Sequence, residues 1–173
     1  MKIDAQFTEP LGARELRRVF GVFPSGIVSV CSLVDGTRVG MVFSSFTSVS
    51  LDPPLVSVCV DHGSETWPSL RRANHLGVSV LGISHAEAAR RLSSRTVDRF
   101  DGLDFESNAE GALFLAGAPA WLDCTIEAEL AGGDHNVVLL RVERMATSDD
   151  AKPLVFHGST FHRLDALVDA ARA

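Results

Sequence analysis

Hydroxyl side chains crowd one short stretch of this 173-residue sequence, the segment 43–50, which reads Phe-Ser-Ser-Phe-Thr-Ser-Val-Ser. Five hydroxyls lie there between two apolar runs, just before the rigid Asp52-Pro53-Pro54. One interpretation is an ordinary polar loop. The other is that these hydroxyls and the neighbouring backbone N–H groups hydrogen-bond a planar heterocyclic ligand with many acceptors at the rim of a barrel. The residue types alone leave both interpretations open.

Two further groups of residues are suited to holding a phosphate. Ser64-Glu65-Thr66-Trp67 stands at a predicted helix start, where backbone amides and a hydroxyl bind anions, although an ordinary N-cap has the same appearance. Four arginines also fall within ten residues of an acidic protein, and guanidinium groups bind phosphate or pyrophosphate well. A solvated helix end would give the same pattern. These arginines are Arg90, Arg91, Arg95 and Arg99.

A histidine follows a pair of glycines in Gly132-Gly133-Asp134-His135, between two long apolar runs. This segment is either a hairpin turn with an exposed imidazole or part of a site. Other chemistries are disfavoured because the sequence has no GxGxxG, GxxxxGK[ST], HExxH or GxSxG motif. Its six histidines show no metal-ligand spacing, so we also expect no bound metal.

Charge and composition limit the classes of partner. Sixteen Lys and Arg against twenty-two Asp and Glu give a net charge of -6, which argues against binding nucleic acid or an anionic membrane. No apolar run approaches the ~18 residues of a membrane span, and the first residues lack the apolar core of a signal peptide, so we expect a cytoplasmic protein. Cys31, Cys59 and Cys124 lie far apart in apolar segments, which is typical of reduced, buried thiols.

Hydrophobic periodicity predicts a mainly β chain that forms a single domain over residues 1–173. Alternating or β-branched runs predict strands, and Asp35-Gly36 suits a tight hairpin between two of them. We place strands at 27–33, 38–43, 55–60, 76–81, 120–130, 136–145, 153–157 and 160–164. Helices are predicted at 11–23, 64–73 and 84–93, with a helical tail at 164–173. Six to eight strands with two or three short helices favour a closed antiparallel barrel.

Taken in order, these segments resemble the flavin reductase family with the FMN-binding split-barrel fold, over roughly residues 11–165. The family contains the small NAD(P)H:flavin oxidoreductase components of two-component flavin-dependent monooxygenases. The resemblance implies a split antiparallel β-barrel with a few short flanking helices. It rests on Phe23-Pro24-Ser25-Gly26, Val39-Gly40-Met41, Ser44 to Leu55, Ser64 with Trp67, Gly77 to Leu81, Asp98-Arg99-Phe100-Asp101-Gly102, Gly133-Asp134-His135 and Pro153-Leu154-Val155-Phe156. The chain departs from the family in lacking tyrosine and in carrying His157-Gly158 where many members have an aromatic or basic stretch.

The resemblance also implies roles for particular residues. In the family the segment matching 39–45 lines the isoalloxazine, which makes flavin-ring candidates of Val39, Gly40, Met41, Ser44 and Ser45. The segments matching 59–66 and 91–97 hold the ribityl and phosphate portions, which points to Ser64, Thr66, Arg91 and Arg95. The Gly-Asp-His turn of the family lies beside the nicotinamide, so His135 is the candidate NAD(P)H contact and catalytic residue.

The function implied by the resemblance is reduction of FMN or FAD by NADH or NADPH, with release of the reduced flavin to a separate monooxygenase. Hydride transfer from nicotinamide C4 to flavin N5 needs stacking at about 3 to 3.5 Å and little acid–base machinery, which fits the missing catalytic motifs. The resemblance also implies a homodimer. Two alternatives stay open: a barrel with permanently bound FMN that acts as electron carrier or oxidase, and a non-catalytic ligand-binding barrel.

Overall fold

The computed structural model describes residues 12–96, 98–148 and 152–165, and three short helices and twelve strands are assigned there. The helices are α1 (Ala13–Phe20), α2 (Trp67–Leu70) and α3 (Ala86–Ser93), the last preceded by a 3-10 turn at Ile83–His85. The strands are β1 (Ser25–Gly26), β2 (Val28–Val34), β3 (Thr37–Phe43), β4 (Thr47–Leu51), β5 (Pro54–Asp61), β6 (Leu76–Val80), β7 (Phe105–Ser107), β8 (Leu113–Leu115), β9 (Ala120–Gly132), β10 (His135–Thr147), β11 (Leu154–His157) and β12 (Thr160–Arg163).

Seven of the strands form one sheet in the order β3-β2-β6-β9-β10-β5-β4, so β3 and β4 lie at opposite edges. Only residues 44–46 connect these two strands, and the chain from Phe43 to Thr47 reaches at most about 14 Å. In a flat sheet at about 4.8 Å per strand, the two edges would be about 29 Å apart. The sheet therefore curls until its edges approach each other. Every strand pair in it is antiparallel, and no ladder joins β3 to β4 within the described residues.

The curled sheet encloses the main hydrophobic core on its inner face. Val30, Val58, Val78 and Val138 come from four different strands, and each is completely buried. Burying one such side chain contributes about 1.5 to 3 kcal/mol, so packing on the inner face stabilises the curled shape of the sheet, although no backbone ladder joins β3 to β4 among the described residues. This is the split antiparallel barrel that the resemblance implied. The closed barrel predicted from the number of strands was wrong, because the edges β3 and β4 share no ladder among the described residues.

Most predicted strands are confirmed. Apolar and polar residues alternate along them because one face of each strand is buried and the other is not. The hairpin between β2 and β3 turns at Asp35 and Gly36, whose φ angles of 51° and 76° are those that a tight hairpin requires. Cys31 and Cys124 are buried as predicted, whereas Cys59 is only partly buried. No helix in the described parts of the chain is long and apolar enough to span a membrane.

The prediction was wrong in several local respects. The helix predicted at 11–23 covers only Ala13–Phe20, and the one predicted at 64–73 covers only Trp67–Leu70. The strand β4 was not predicted, because it is an exposed edge strand with mostly polar residues and therefore lacks an apolar alternation. The short strands β7 and β8 were also missed. The tail predicted as helix at 164–173 lies outside the described residues beyond position 165.

Candidate active site

A cleft of about 270 Å³ opens where β3, the turn after β5 and the C-terminal end of α3 meet. Four residues singled out from the sequence line it together, namely Met41, Ser64, Thr66 and Arg95. The lining combines apolar and polar groups, which suits a ligand that has both a ring and charged or hydroxylated parts. The other lining residues are Val42, Asp61, Glu65, Leu92, Ser93 and Arg99.

Ser64 reaches the cleft from the tight turn that follows β5. Asp61 orders this turn, because its carboxylate accepts the backbone N–H of Gly63 at 2.6 Å and its carbonyl accepts that of Ser64 at 3.0 Å. The Ser64 hydroxyl accepts the backbone N–H of Trp67 at 3.2 Å, and it lies 3.9 Å from the sulfur of Met41. The two interpretations of the sequence thus coexist, since Ser64 orders the first turn of α2 and also forms a wall of the cleft.

The four arginines of the cluster have two different environments. Arg90 and Arg91 both lie within 3.5 Å of the Glu87 carboxylate, and Arg91 also donates to the backbone carbonyl of Asp101 at 3.0 Å. Arg91 does not line the cleft with Ser64 and Arg95, so its contact with a phosphate stays a prediction. The four-residue spacing between Glu87 and Arg91 is the sequence signal for this ion pair, because Glu and Arg four residues apart on a helix form ion pairs.

Arg95 and Arg99 line the cleft and have no carboxylate within 4.0 Å among the described residues. Arg95 is exposed, whereas Arg99 is half-buried. Arg99 belongs to the arginine cluster and to a family-like motif, but the sequence did not single it out as a site residue. Its position depends on contacts with residues far away in the sequence.

The residues at 39–41 line the cleft only in part. Val39 and Met41 pack against the core, and of these two only Met41 lines the cleft. Gly40 is buried, and a Cβ atom there would lie 2.4 Å from the sulfur of Cys31 and 3.1 Å from the Phe100 ring. Glycine is required by this close packing, so contacts of Val39 and Gly40 with a flavin ring stay predictions.

Ser45 lies in the connection between the edge strands β3 and β4 and ties this connection to β5. Its hydroxyl oxygen accepts the backbone N–H of Cys59 at 2.8 Å. The ladder between β4 and β5 begins where Thr47 pairs with Ser57, so Cys59 lies just beyond it, and the serine hydroxyl replaces the missing strand partner. Ser44 is exposed beside it. The hydroxyl-rich segment is therefore partly structural, and a contact of either serine with a ligand stays a prediction.

His135 lies at the start of β10, directly opposite Asp61 at the end of β5. Paired Cα atoms of antiparallel strands are about 4.5 to 5.5 Å apart, so His135 is a direct neighbour of Asp61, which lines the cleft, although His135 itself is not one of the lining residues. The Nδ1 atom of His135 lies 2.7 Å from a carboxylate oxygen of Asp134. An ionised carboxylate can only accept, so Nδ1 carries the hydrogen and Nε2 is the nitrogen left for a ligand. The hydrogen bond and charge of His135 lower the pKa of Asp134.

A larger cavity of about 390 Å³ lies at the other end of the β9–β10 ladder, against β7 and β8. The buried carboxylate of Asp123 faces it and accepts hydrogen bonds from His75 at 2.7 Å, Asn108 at 2.9 Å and Arg144 Nε at 2.9 Å. Because these polar groups satisfy one another, we regard this cavity as part of the packing between the small β7–β8 sheet and the barrel.

These observations define the class of fold: a split antiparallel β-barrel with a cleft lined by arginine and hydroxyl side chains. Residues 20–165 match the family described as flavin reductase like domain, and the chain belongs to that family.

Individual relatives cover almost the whole chain. The NADH-dependent FAD reductase of Streptomyces globisporus is 37% identical over 98% of this chain and 95% of its own length. The monooxygenase reductase subunit HsaB of Rhodococcus jostii is 34% identical over 86% of this chain and 76% of its own. Among solved structures, the Streptomyces globisporus C-1027 NADH:FAD oxidoreductase SgcE6 in complex with NAD and FAD fragments has a TM-score of 0.86 and 37% identity, covering 95% of this chain and 98% of that chain.

The residues of the cleft fit a flavin nucleotide. Arg95 and Arg99 carry positive charges that no carboxylate of the described residues neutralises within 4.0 Å, as a phosphate site needs. The hydroxyls of Ser64 and Thr66 suit a ribityl chain, and the apolar atoms of Met41 suit a ring. In the parts of the chain that the structure describes, no group of three or more His, Cys, Asp or Glu side chains is placed to hold a metal ion.

Proposed function

We propose that this protein is an NADH-dependent flavin reductase that takes up oxidised flavin, reduces it and releases it to a separate monooxygenase. The observation that carries the proposal is a cleft suited to a phosphate-bearing flavin, with His135 paired to Asp61 of its lining. The chemistry supplied by the two nucleotides is hydride transfer from nicotinamide C4 to flavin N5.

The protein's own residues orient the two nucleotides. Ser64, Thr66 and Arg95 hold the ribityl and phosphate portions of the flavin, and Met41 packs against it. His135 contacts the nicotinamide nucleotide through Nε2, because Nδ1 donates to Asp134. With Nδ1 carrying the hydrogen, a neutral His135 offers a lone pair at Nε2 to the carboxamide N–H₂ group, and a protonated one offers an N–H to oxygen. Such contacts stack the two rings and require no general acid or base.

A reductase is distinguished from a barrel with permanently bound flavin by its turnover of added flavin. When free flavin is in large excess over the enzyme, a reductase oxidises many moles of NADH per mole of enzyme. A permanently flavin-loaded protein would instead be yellow as purified and would saturate at stoichiometric flavin. A colourless protein that neither binds flavin nor oxidises NADH would favour the non-catalytic barrel and would overturn the proposal.

FAD and NADH are the pair that we propose, since the relative from Streptomyces globisporus is described as an NADH-dependent FAD reductase. The alternatives are FMN and NADPH. Steady-state kinetics with both flavins crossed against both nicotinamide nucleotides decides between them. A kcat/KM for NADPH or for FMN equal to or above that of the proposed pair would contradict this part of the proposal.

Alanine variants of Ser44 and Ser45 distinguish a contact with the ligand from a structural contact. If both hydroxyls bind flavin, replacing each by alanine raises the flavin Kd about two- to tenfold, the value of one neutral hydrogen bond. Ser45→Ala additionally lowers the unfolding temperature, because Cys59 loses its hydrogen-bond acceptor. An unchanged flavin Kd in the folded Ser44→Ala variant would remove that side chain from the site.

We further propose a homodimer that passes reduced flavin to a partner monooxygenase in the cytoplasm. Phe20 and Phe23 of the α1 region are 67% and 78% exposed, and a partner subunit would cover such apolar surface. HsaB, described as a monooxygenase reductase subunit, supports the partner class. Free cysteines in the described chain fit a reducing compartment. Light scattering after gel filtration tests the dimer, since a monomeric mass at micromolar concentration would contradict it.

A further inference from the structure

Two turns of the chain carry residues that we assign to the two nucleotides. One turn follows β5 and brings Ser64 to the cleft, and the other joins β9 to β10 just before His135. Hydride transfer requires the two rings to stack at about 3 to 3.5 Å, so the position of one turn relative to the other matters for the reaction. The ladder between β5 and β10 ends at the pair of Asp61 and His135, and the two turns lie beyond it.

His62 connects the two turns past the end of this ladder. Its backbone N–H donates to the carbonyl of Asp134 at 3.0 Å. Its Nε2 atom lies 2.9 Å from the Oδ1 atom of Asn136. Asp134 and Asn136 are the two chain neighbours of His135, and His62 precedes Ser64 in its own turn. A single residue of the first turn is therefore bonded on both sides of His135.

The amide group of Asn136 decides how the imidazole of His62 is oriented. The Nδ2 atom of Asn136 donates to a carboxylate oxygen of Glu129 at 3.3 Å. Because an ionised carboxylate can only accept, the amide nitrogen faces Glu129 and the amide oxygen faces His62. The Nε2 atom of His62 therefore carries a hydrogen and donates it to Asn136.

Glu129 is itself held by an arginine. Its carboxylate lies 3.1 Å from Nη2 of Arg71, and its side chain is only 15% exposed. Arg71 directly follows α2. A row of polar contacts thus runs from Arg71 through Glu129 and Asn136 to His62. Both ends of the row, Arg71 and His62, lie in the connection between β5 and β6, so the row fastens this connection to β9 and β10 at two points.

The position of His62 points to a local role rather than to a role in the core. The residue is exposed, and an exposed hydrogen bond at a turn adds little to global stability. Its contacts instead fix where the turn with Ser64 lies relative to the turn before His135.

We propose that His62 is a positioning residue of the reaction, which holds these two turns together so that the bound flavin and nicotinamide rings stack. This inference rests on the proposed function, since it assumes that each turn serves its nucleotide.

The test measures both nucleotides in the same variants. The flavin Kd is measured by fluorescence, and the limiting rate of flavin reduction by stopped flow at varied NADH, for the wild-type protein, His62→Ala and His62→Gln. We expect His62→Ala to raise the flavin Kd and to lower the limiting rate, each about two- to tenfold, the range for one neutral hydrogen bond. His62→Gln should restore both values to within about twofold of wild type, because the glutamine amide also offers an N–H to Asn136.

Two further substitutions show whether the effect comes from this hydrogen bond. Asn136→Ala removes the acceptor of His62, so the effects of Asn136→Ala and His62→Ala should not add in the double variant. The matched control is Glu127→Gln on β9, whose carboxylate lies 2.8 Å from Arg141 and contacts neither turn among the described residues. This control should leave the flavin Kd and the limiting rate unchanged.

Hydrogen–deuterium exchange gives a readout that needs no flavin. His62→Ala should speed the exchange of peptides that cover residues 62–66 and 132–136, because both turns lose a shared contact. Glu127→Gln should leave both peptides unchanged. Exchange that stays at the wild-type rate in the second peptide of His62→Ala would contradict the connection between the turns.

The outcomes separate this inference from the proposed function. An unchanged flavin Kd and limiting rate in folded His62→Ala would overturn the positioning role of an otherwise active reductase, and so would a lower unfolding temperature as the only effect. A change in the flavin Kd alone would place His62 in the flavin site and would also overturn it. If His62→Ala does not fold, Asn136→Ala provides the same test. A wild-type protein that neither binds flavin nor oxidises NADH would overturn the proposed function and this inference with it.

Discussion

Replacing His135 tests whether this histidine acts on the nicotinamide or merely completes a turn. If His135 only closes the two-residue turn between β9 and β10 as the first residue of β10, it would tolerate alanine within about 0.5 kcal/mol of stability. In the proposed site, His135→Ala instead removes the group that contacts the nicotinamide nucleotide. We expect an increase in the NADH KM, or a decrease in the rate of flavin reduction, of about tenfold.

The magnitude follows from the geometry of the Asp134–His135 pair. A single neutral hydrogen bond is worth about 0.5 to 1.5 kcal/mol, and tenfold corresponds to about 1.4 kcal/mol, the upper end of that range. The upper end applies because the ring is held by a 2.7 Å hydrogen bond to Asp134. The pKa of Asp134 is lowered by this bond, so the carboxylate stays ionised at about pH 6 to 8. Asp134→Asn keeps an acceptor but removes the charge, and we expect about a threefold effect.

Stopped-flow reduction at varied NADH concentration is the assay, with flavin in excess over its Kd. Flavin affinity, measured separately by fluorescence, should change less than twofold in both variants, because His135 contacts the other nucleotide. A wild-type rate and NADH dependence in a folded His135→Ala protein would refute the assignment. A large loss of flavin affinity would instead mean that the histidine lies on the flavin side of the cleft.

Two further predictions concern the fold. A Cβ atom on the buried Gly77 would lie 2.1 Å from the carbonyl oxygen of Leu113, so Gly77→Ala should lower the free energy of unfolding by about 2 to 3 kcal/mol in urea titrations. The control Gly26→Ala has no atom within 4 Å of its new Cβ and should change stability by less than about 0.5 kcal/mol; equal midpoints for the two variants would contradict this packing. Burial raises the pKa of two thiols to about 12, so alkylation of the native protein at pH 8 should modify Cys59 alone and spare Cys31 and Cys124. Mass spectrometry checks this, and modification of either buried thiol before unfolding would show that the barrel interior is accessible.

Local sequence patterns were sufficient for the parts of the fold that depend on neighbouring residues. Asp35-Gly36 specifies its hairpin because both residues must adopt positive φ, which few residue types tolerate. The long hairpin of β9 and β10 was predictable because its strands alternate and a Gly-rich turn separates them. The strand β4 was not, because an exposed edge strand is specified by its ladder to β5 rather than by its own side chains.

The sequence by itself determined the family, the mainly β architecture and the set of polar residues from which the site is drawn. Only the tertiary structure decided which of these residues meet. Arg91 and Arg99 are the same residue type in the same cluster, yet Arg91 pairs with Glu87 whereas Arg99 enters the cleft wall. The physical reason is that Arg99 takes its position from Gly40 and Thr66, which are distant in the chain and adjacent only once the sheet has curled.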